Sequence, residues 1–381
     1  MKKNYLKAYS LVEMSLVLVV IGIIGFFSLK FLTEIGTQTL NQQFKNELER
    51  ANEALIGFAL SNSRLPCPDT NNDGDEDCAI ANKQGFLPVN TLGIESTNQS
   101  KKGLSIRYGV YRKASATLLN DMDLAQLKGR YEPLLPNSET SNQLGGLDFC
   151  FALKKASLSA ADNSQINIGT AAINVAYVLA GAGLIDANND GNLFDGVNAT
   201  GVKFEKPHKS HKNNYDDNVV AMSFNGLSGT LNCPKVLSQT NGAARASFAA
   251  YDMWLLATQY KEFRDFNVAY LQSMLKVAES NRDLALAGVA LALLSTAIAA
   301  ADVAMDFTGA SAIGITLALL ATADAAYALV QAIQGVADAQ QDVADAVQQQ
   351  NEAIASLAQA LAFKDAKLVQ VKTLDQRGLI R

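Results

Sequence analysis

The first hydrophobic pattern of the chain is an uninterrupted apolar run near its start. No residue from Met14 to Leu29 is charged, and with the preceding Leu11 and Val12 the run approaches the roughly 18 to 20 residues that a helix needs to cross a bilayer. Further on, apolar residues recur at spacings of three and four, at Phe44, Leu48, Ala51, Leu55 and Phe58. This spacing is typical of one face of a helix. The two prolines of Arg64–Pro68 end it. We therefore predict one helix over 9–62.

Between residues 63 and 237 the pattern changes to short apolar runs separated by Gly, Asn, Asp and Pro. The runs Ile106–Tyr111, Ile173–Leu179 and Asn218–Phe224 alternate or are rich in β-branched and aromatic residues, which favours strands. We expect a globular domain over 63–237, built on an antiparallel sheet of about four or five strands.

The third pattern follows a Ser/Asn/Gly stretch at 238–242, which we interpret as a linker. Beyond it the chain lacks proline and is rich in Ala, Gln, Leu and Asp. Two sets of residues step by three and four: Met253, Leu256, Tyr260, Phe263, Asn267, Tyr270, Met274 and Val277, then Val343, Val347, Gln350, Ile354, Leu357, Leu361, Lys364, Leu368 and Val371. Such steps are typical of heptad seams. They predict an antiparallel helical hairpin over 243–375, about 80 to 90 Å long, that folds back near Asp306–Gly309. The expected class is α+β.

The tip of the predicted hairpin is unusually apolar. Residues 284–301 and 307–323 carry no charge and are dominated by Ala, Gly, Ser, Thr and Leu, so each limb could nearly span a membrane. Asp302, Asp306 and Asp324 count against insertion. Two interpretations stay open: an Ala-rich coiled-coil tip that packs against an unidentified partner or the protein's own domain, and a membrane-inserting hairpin.

Charge near the start of the chain indicates its orientation. Lys2, Lys3 and Lys7 precede the apolar run, which predicts a cytoplasmic N-terminus and an exported body. The small residue Ala8 lies before the apolar run rather than after it, so removal of a leader would leave the hydrophobic helix attached. Glu13 is an ionisable group in a lipid-compatible helix, and such residues usually have a functional partner.

These residues resemble the N-terminus of type IV prepilins and pseudopilins: a short basic leader, a small residue, an aromatic residue, Ser, Leu, an aliphatic residue, Glu and an apolar helix. The resemblance implies a leader over 1–8, cleavage by a prepilin peptidase between Ala8 and Tyr9, and N-methylation of Tyr9. It also implies that Glu13 pairs with the N-terminal amine of a neighbouring subunit. Ala8 stands where Gly is usual. Lys30 stands where major pilins often have Pro, which favours a minor pilin or a pseudopilin.

A wider resemblance to large pilin-like proteins rests on LPCPD, GFLPVNTLG, YGVY and YDDNVVAMSF, and covers most of residues 9–235. In that family the amphipathic half of the first helix packs on the sheet. The implied function is a minor type IV pilin or pilin-like subunit in the inner membrane, single-pass with its body periplasmic or carried into an extracellular pilus. Its implied partners are other pilin or pseudopilin subunits. One alternative is a pseudopilin of a type II secretion or DNA-uptake machine. Another is a membrane-active or partner-binding effector that acts through the hairpin.

The net charge limits the partners that we expect, and the cysteines indicate disulfides. The formal charge of −5 becomes −8 when the three leader lysines leave, and an acidic exported body argues against a nucleic-acid partner. Four cysteines, Cys67, Cys78, Cys150 and Cys233, lie on the exported side, where disulfides form. We favour Cys67–Cys78 and Cys150–Cys233 among the three possible pairings, which the sequence alone leaves open. A zinc site is the rival, but no close CxxC pair is present.

Two acidic stretches resemble the front half of a calcium loop. The first contains Asp69, Asn71, Asp73, Asp75 and Asp77, and the second contains Asp186, Asn188, Asp190 and Asp195. Both lack the closing Glu of such loops. They could instead be Asx turns that reverse the chain. No cofactor is required by the sequence, and calcium is a possible one.

Catalytic motifs are not evident, and we expect a protein that is not an enzyme. The two histidines, His208 and His211, lie among lysines in a polar stretch, which suggests a solvated loop. The paired acids Asp216 and Asp217 precede a predicted strand, where a cap or turn is the expected role.

Overall fold

The computed structural model of the protein describes residues 11–94, 106–141, 143–183, 185–212, 214–305, 309–377 and 379. They form two compact units. The sheet unit comprises the chain up to Leu134, Glu139–Gly242 and the chain from Val371 onward. The hairpin unit comprises Leu135–Ser138 and Ala243–Gln370.

The predicted α+β class, the antiparallel sheet and the two long C-terminal helices are confirmed. The sheet unit contains helix α1 (Leu11–Asn62), strands β1 (Gln84–Phe86), β2 (Ile106–Val110), β3 (Arg112–Lys113) and β4 (Met122–Asp123), helix α2 (Gly146–Leu158), strands β5 (Asn167–Ile168), β6 (Ile173–Asn174), β7 (Tyr177–Gly181), β8 (Lys203–Phe204) and β9 (Asn218–Met222), and helix α3 (Phe224–Thr230). Helices α4 (Cys233–Met305) and α5 (Gly309–Gln376) belong partly to each unit. Short 3-10 turns lie at Leu118–Asn120, Pro136–Ser138 and Gly196–Asn198.

The main sheet has the strand order β1-β2-β7-β9, and every neighbouring pair is antiparallel. All five residues of the central strand β7 are buried. Because side chains alternate between the two faces of a strand, Tyr177 and Leu179 belong to one hydrophobic cluster and Val178 and Ala180 to another. The sheet therefore has a core on each face.

The second half of α1 forms the first of these cores. Leu48, Ala51, Leu55 and Ala59 are at most 2% exposed and cluster with β7. The hydroxyl of Tyr177 donates to the side-chain oxygen of Asn52 at 2.7 Å. The amphipathic spacing read from the sequence therefore corresponds to a buried helix face.

A small three-stranded sheet, in the order β6-β5-β8, contributes to the other core. Ile166 and Phe204 pack there with Val178 of β7. Gly109 of β2 allows this close approach, because a Cβ at that position would lie 2.7 Å from the Ile166 side chain. A larger residue at 109 would have to displace the end of the Ile166 side chain from this well-packed core.

The predicted strand over Ile173–Leu179 is wrong as a single element. Ile173–Asn174 pairs within the small sheet, whereas the main-sheet strand runs over Tyr177–Gly181. Ala176 lies between them, where its N–H donates to the carbonyl of Met222 and its carbonyl accepts from the N–H of Tyr111. The chain thus passes from one sheet to the other within two residues.

The predicted strand over Asn218–Phe224 ends early, at Met222. Ser223 is the N-cap of α3, and its side-chain oxygen accepts from the N–H of Gly226 at 3.0 Å. This cap satisfies an otherwise unpaired helix donor, so Phe224 begins a helix instead of extending the strand.

Helix α2 was absent from the sequence prediction, which assigned only strands to this region. Its residues Leu147, Cys150 and Leu153 recur every three positions and are buried, a helical signal. Cys150 forms a disulfide with Cys233, the first residue of α4, with Cα atoms 5.2 Å apart. Cys67 and Cys78 form the second, at 5.1 Å. The favoured pairing is therefore the observed one.

The predicted linker at 238–242 is also wrong, because α4 is continuous from Cys233. Thr240 is fully buried, and its hydroxyl donates to the carbonyl of Val236 at 3.0 Å. Ala243 and Ala244 are buried in the next turn. This packing outweighs the helix cost of Gly242, about 1 kcal/mol relative to Ala.

The chain returns to the sheet unit at the end of α5, somewhat earlier than the predicted hairpin boundary of 375. Val371 is fully buried, and the hydroxyl of Ser141 donates to the buried carboxylate of Asp375. Leu379 joins the core formed with α1. Residues on both sides of the hairpin therefore complete one hydrophobic core.

The residues of α4 that face α5 lie one position later in the chain than the predicted set, so the predicted contact face is wrong. The large residues of the first heptad set are 45–64% exposed, whereas Ala250, Val268 and Ala292 are buried. Polar contacts fix the observed face: Arg264 donates to Gln349 at 2.5 Å, and Gln350 donates to Asp265 at 2.8 Å. Small side chains such as Ala346 and Ala353 on α5 allow the helices to approach closely.

On α5 the prediction is partly right. Val343, Gln350, Leu357 and Lys364 are partly buried and Val371 fully so, whereas Ile354 and Leu361 are exposed. The helices are 73 and 68 residues long, and their parts in the hairpin unit, 243–305 and 309–370, correspond to about 93 to 95 Å, slightly more than expected.

Loss of the Cys150–Cys233 disulfide should destabilise the sheet unit more than loss of Cys67–Cys78. The first closes a separation of 83 residues and the second one of 11, so the chain-entropy model gives losses of about 4 to 5 and about 3 kcal/mol. The measurement is urea unfolding of Cys150→Ala/Cys233→Ala and Cys67→Ala/Cys78→Ala in detergent micelles. Equal losses, or a larger loss for the short loop, would contradict the expectation.

Candidate functional site

The first half of α1 is an uncovered apolar surface within the described chain. Its large hydrophobic side chains from Val12 to Phe27 are 44–69% exposed. Glu13 lies in the first turn of this helix and is also exposed. Ala8 and Tyr9, where cleavage and methylation are predicted, lie outside the described residues. The surface therefore joins one carboxylate to an extended apolar helix.

The first acidic loop is organised by Asp69, which is 1% exposed. Its carboxylate accepts from the backbone N–H groups of Asn71, Asn72 and Gly74 at 2.6–3.1 Å. Gly74 has φ +93°, a conformation that favours glycine. Asp69 thus holds a tight turn of the kind that the sequence offered as the alternative to a calcium loop.

Asp73 and Asp77 of this loop also accept hydrogen bonds, whereas Asp75 is exposed. Asp73 accepts from the amide of Asn71 at 2.9 Å and from the N–H of Asp75 at 2.9 Å. Asp77 accepts from the N–H and the hydroxyl of Thr70, and the hydroxyl bond lowers the pKa of Asp77. The loop is closed by the Cys67–Cys78 disulfide.

The second acidic loop repeats this geometry. Asp186 accepts from the N–H groups of Asp190 and Gly191 at 3.1 and 2.8 Å, and the amide of Asn188 donates to Asp190 at 2.9 Å. Gly191 has φ +85°. Asp195 contacts this turn by accepting from the N–H of Asn188, and it also accepts from the N–H of Asp216. Calcium at either loop stays a prediction.

A cluster of three carboxylates does form, although in a different combination from the predicted one. Asp195, Asp216 and Asp217 place their carboxylate oxygens within 4.8 Å of one another. Asp217 accepts from the N–H groups of Gly183 and Asp195 and from the amide of Asn198. Burial, assisted by the nearby charge of Asp195, raises the pKa of Asp217 to about 6. The buried Asp217 connects β9 to the second loop.

A cleft of about 820 Å³ in the sheet unit is bordered by both acidic loops, through Thr70 of the first and Asp186 and Asp190 of the second. Arg107 lines it and is 6% exposed. Its guanidinium donates to the carbonyl of Asn198 and the side-chain oxygen of Gln84, which are both neutral.

No ion pair joins Arg107 to a carboxylate of the described residues, and burial lowers its pKa. The other buried arginines differ, because Arg112 pairs with Asp123 at 3.1 Å and Arg130 with Asp121 at 2.7 Å. The cleft thus has a buried positive charge beneath an acidic rim. A ligand with an anionic group would match that charge. The sequence does not predict this buried charge because Arg107 contacts Asn198, 91 positions further along the chain, only in the folded protein.

The two histidines do not form a site within the described residues. His208 and His211 are both exposed, and His208 has φ +59°. They lie on a solvated loop between β8 and β9, as the sequence indicates.

The hairpin unit presents a second apolar surface. Helices α4 and α5 are both long and apolar enough to cross a membrane. In the uncharged stretch 284–301 of α4 only Ala292 is buried, and in the most apolar eighteen-residue stretch of α5 6% of the residues are buried. This surface lies at the distal part of the hairpin, where the sequence lacks charge.

Comparison with known proteins adds no assignment: no family model, curated protein or solved structure matches this chain.

Replacing Asp69 should destabilise the first acidic loop much more than replacing Asp73. Asp69→Ala leaves three backbone N–H groups without their acceptor, an expected loss of about 2 to 4 kcal/mol. Asp73→Ala alters an exposed residue of the same loop and should cost less than about 1 kcal/mol. Urea unfolding of the two variants measures the difference. Equal losses would mean that Asp69 does not organise the turn.

The Asp217 carboxyl should make stability fall as pH rises. Its folded pKa of about 6 exceeds its ordinary value of 3.8, so its contribution is complete below pH 3.8 and is lost as pH rises through about 6. The loss from about pH 4 to 7 is up to about 3 kcal/mol. In Asp217→Asn this dependence should disappear, so the variant gains stability relative to wild type as pH rises. An unchanged difference in free energy of unfolding across that range would refute the assignment.

Proposed function

We propose that the protein is a minor type IV pilin or pilin-like subunit, anchored in the inner membrane and incorporated into, or priming, a pilus-type filament. The observation that carries this proposal is the division of α1. Its first half exposes apolar side chains from Val12 to Phe27, whereas its second half buries Leu48, Leu55 and Ala59 on the sheet. One helix thus serves as both an anchor and a core element.

The exposed half of α1 requires an apolar environment from outside the chain. A bilayer supplies it before assembly, and the equivalent helices of neighbouring subunits supply it in a filament. Both environments cover a helix on all sides, which suits a helix that is apolar all round. A subunit could then exchange its lipid contacts for contacts with neighbouring helices without refolding of its sheet unit.

Glu13 has a physical role in this scheme. A carboxylate in an apolar helix is costly unless it is paired with a positive charge. Cleavage between Ala8 and Tyr9 would create an α-amine close to the start of the helix, and the amine of one subunit could neutralise Glu13 of the next. The pairing would favour one axial offset between neighbouring subunits. It would also offset the free-energy cost of burying the Glu13 carboxylate.

The proposed location is the inner membrane, with a cytoplasmic N-terminus and the sheet unit in the periplasm or, after assembly, outside the cell. Two disulfides in the sheet unit suit an oxidising compartment. Prepilin peptidase and other pilin or pseudopilin subunits are the proposed partners.

The decisive experiment is intact-mass and N-terminal peptide spectrometry of the protein from cells with and without prepilin peptidase. We expect a peptidase-dependent start at N-methylated Tyr9. Retention of Met1 to Ala8 in both strains would refute the proposal.

Glu13→Gln separates processing from assembly. The variant should be cleaved normally but lose most of its recovery in sheared filaments, because the amide cannot neutralise an amine. Glu53→Gln, an exposed residue in the second half of the same helix, is the matched control and should be recovered like wild type. Equal recovery of both variants would remove Glu13 from the assembly step.

A further inference from the structure

The exposed side chains of the hairpin unit change along its length, from mixed charged and apolar to mainly apolar. We define the apolar tip as residues 284–302 of α4 and 313–333 of α5, and the proximal hairpin as residues 243–283 and 334–370. We propose that the apolar tip inserts into a lipid bilayer as a helical hairpin. The inference does not depend on filament assembly, because it rests on the hairpin unit alone.

The apolar tip exposes large apolar side chains in several directions around each helix. Leu291, Leu293 and Leu294 of α4 are 57–67% exposed, although at about 100° per residue they point in three different directions around the helix. Leu317, Leu319 and Leu320 of α5 are 56–62% exposed in the same way. A helix that is apolar all round is typical of a membrane span or of the core of a large protein.

The proximal hairpin differs on the same helices. Its exposed apolar residues, such as Phe263, Tyr270 and Met274, form one stripe, and charged residues such as Glu262 and Lys276 are exposed next to it. This is the pattern of a helix in water or of one that packs on a single partner. The change therefore occurs within continuous helices, at Arg282 and Asp283 of α4.

The side chains that join α4 to α5 also differ between the proximal hairpin and the apolar tip. In the proximal hairpin Arg264 and Asp265 make side-chain hydrogen bonds to Gln349 and Gln350. In the apolar tip the contact is made by small residues such as Ala292, Thr296 and Ala318. Small residues let helix backbones approach closely in lipid, where the hydrophobic effect does not drive association.

Two threonine hydroxyls in the described part of the tip have hydrogen-bond partners within the tip. The hydroxyl of Thr296 donates to the carbonyls of Ala292 and Ala318, at 2.8 and 3.3 Å. The hydroxyl of Thr322 donates to the carbonyl of Leu319 at 2.8 Å. A hydrocarbon environment requires such internal partners, because no water is present to supply them.

The length of the tip also fits a bilayer. The uncharged stretch 284–301 of α4 is about 27 Å long as a helix, close to the hydrocarbon thickness of about 30 Å. Asp283 and Asp302 bracket it. Tyr327, which is 66% exposed, lies towards the proximal end of the tip, where aromatic residues mark the membrane interface.

Asp324 opposes insertion, as an exposed ionisable residue within the second limb. The contact of Thr296 with Ala318 places Asp324 opposite residues near 290, near the middle of the α5 part of the tip and about 9 Å from the proximal end of the uncharged stretch of α4. A carboxylate near an interface can reach the head groups more readily than one at the centre. Asp302 and Gln331 are further exposed polar residues of the tip, whereas its exposed leucines are apolar and favour lipid.

A bilayer suits this surface better than a protein groove. A groove covers one stripe of a helix, and the leucines of the tip would then remain exposed on the other sides. Lipid covers every direction at once. Leu291 and Leu293 are exposed on opposite flanks of α4. This arrangement therefore favours a bilayer over a protein groove.

The test uses the full chain with one introduced cysteine. Both described disulfides use all four native cysteines, so a new thiol is labelled selectively. Leu291→Cys, Leu293→Cys and, as the proximal control, Met274→Cys are labelled with an environment-sensitive fluorophore. The protein is then reconstituted into vesicles of phosphatidylethanolamine and phosphatidylglycerol. Quenching by aqueous iodide and by nitroxide-labelled lipid is measured for each position.

We expect labels at 291 and 293 to lose quenching by iodide and to be quenched by the nitroxide lipid, while the label at 274 stays accessible to iodide. Iodide access at 291 and 293 equal to that at 274 would overturn the proposal. Protection without lipid quenching would indicate a protein cover and would also overturn it, as would protection of only one of the two flanks.

A second variant separates insertion from anchoring by α1. Leu286→Arg in the Leu291→Cys protein should restore iodide access at 291, while Val277→Arg in the same protein should not. Circular dichroism checks that helix content is equal in both. Because the first half of α1 is unchanged, both proteins remain on the vesicle, and unchanged protection at 291 in the Leu286→Arg protein would contradict insertion of the tip.

Discussion

A helix can bury only one stripe of its side chains against one neighbouring element, and this constraint governs the whole protein. In the described second half of α1 exposed polar side chains lie beside the buried stripe, and in the proximal hairpin they flank a single exposed apolar stripe. In the first half of α1 and in the apolar tip, large side chains such as Phe26 and Leu291 are exposed instead. The free energy of these two regions therefore depends on surroundings that the chain does not supply.

The features that sequence predicts well are the local ones. Prolines 66 and 68 end α1 by removing helix donors, and the cysteines 67 and 78 are close enough in sequence to favour one pairing. The acidic turn at Asp69 follows from a carboxylate that accepts N–H groups two to five residues ahead. Each of these depends on neighbours within about a dozen residues.

Prediction fails where the answer depends on distant neighbours. Two heptad stripes run along α4 in adjacent phases, and large residues favoured the one through Phe263, whereas the contact with α5 selects the one through Val268. Small partners on α5 and the Asp265–Gln350 hydrogen bond decide between them. The carboxylate cluster was missed for a similar reason, because Asp195 and Asp217 meet only after β9 has paired with β7.

The sheet unit is built from residues on both sides of the inserted segment Ala243–Gln370. Leu379 and Leu55 share one core although 324 positions separate them. Such distant contacts form slowly, since a long loop must close first. In the proposed export, the second half of α1 and the strands would reach the periplasm well before Val371 and Leu379, which complete their packing. The domain would consequently pass through a protease-sensitive intermediate whose lifetime is set by translocation of the hairpin.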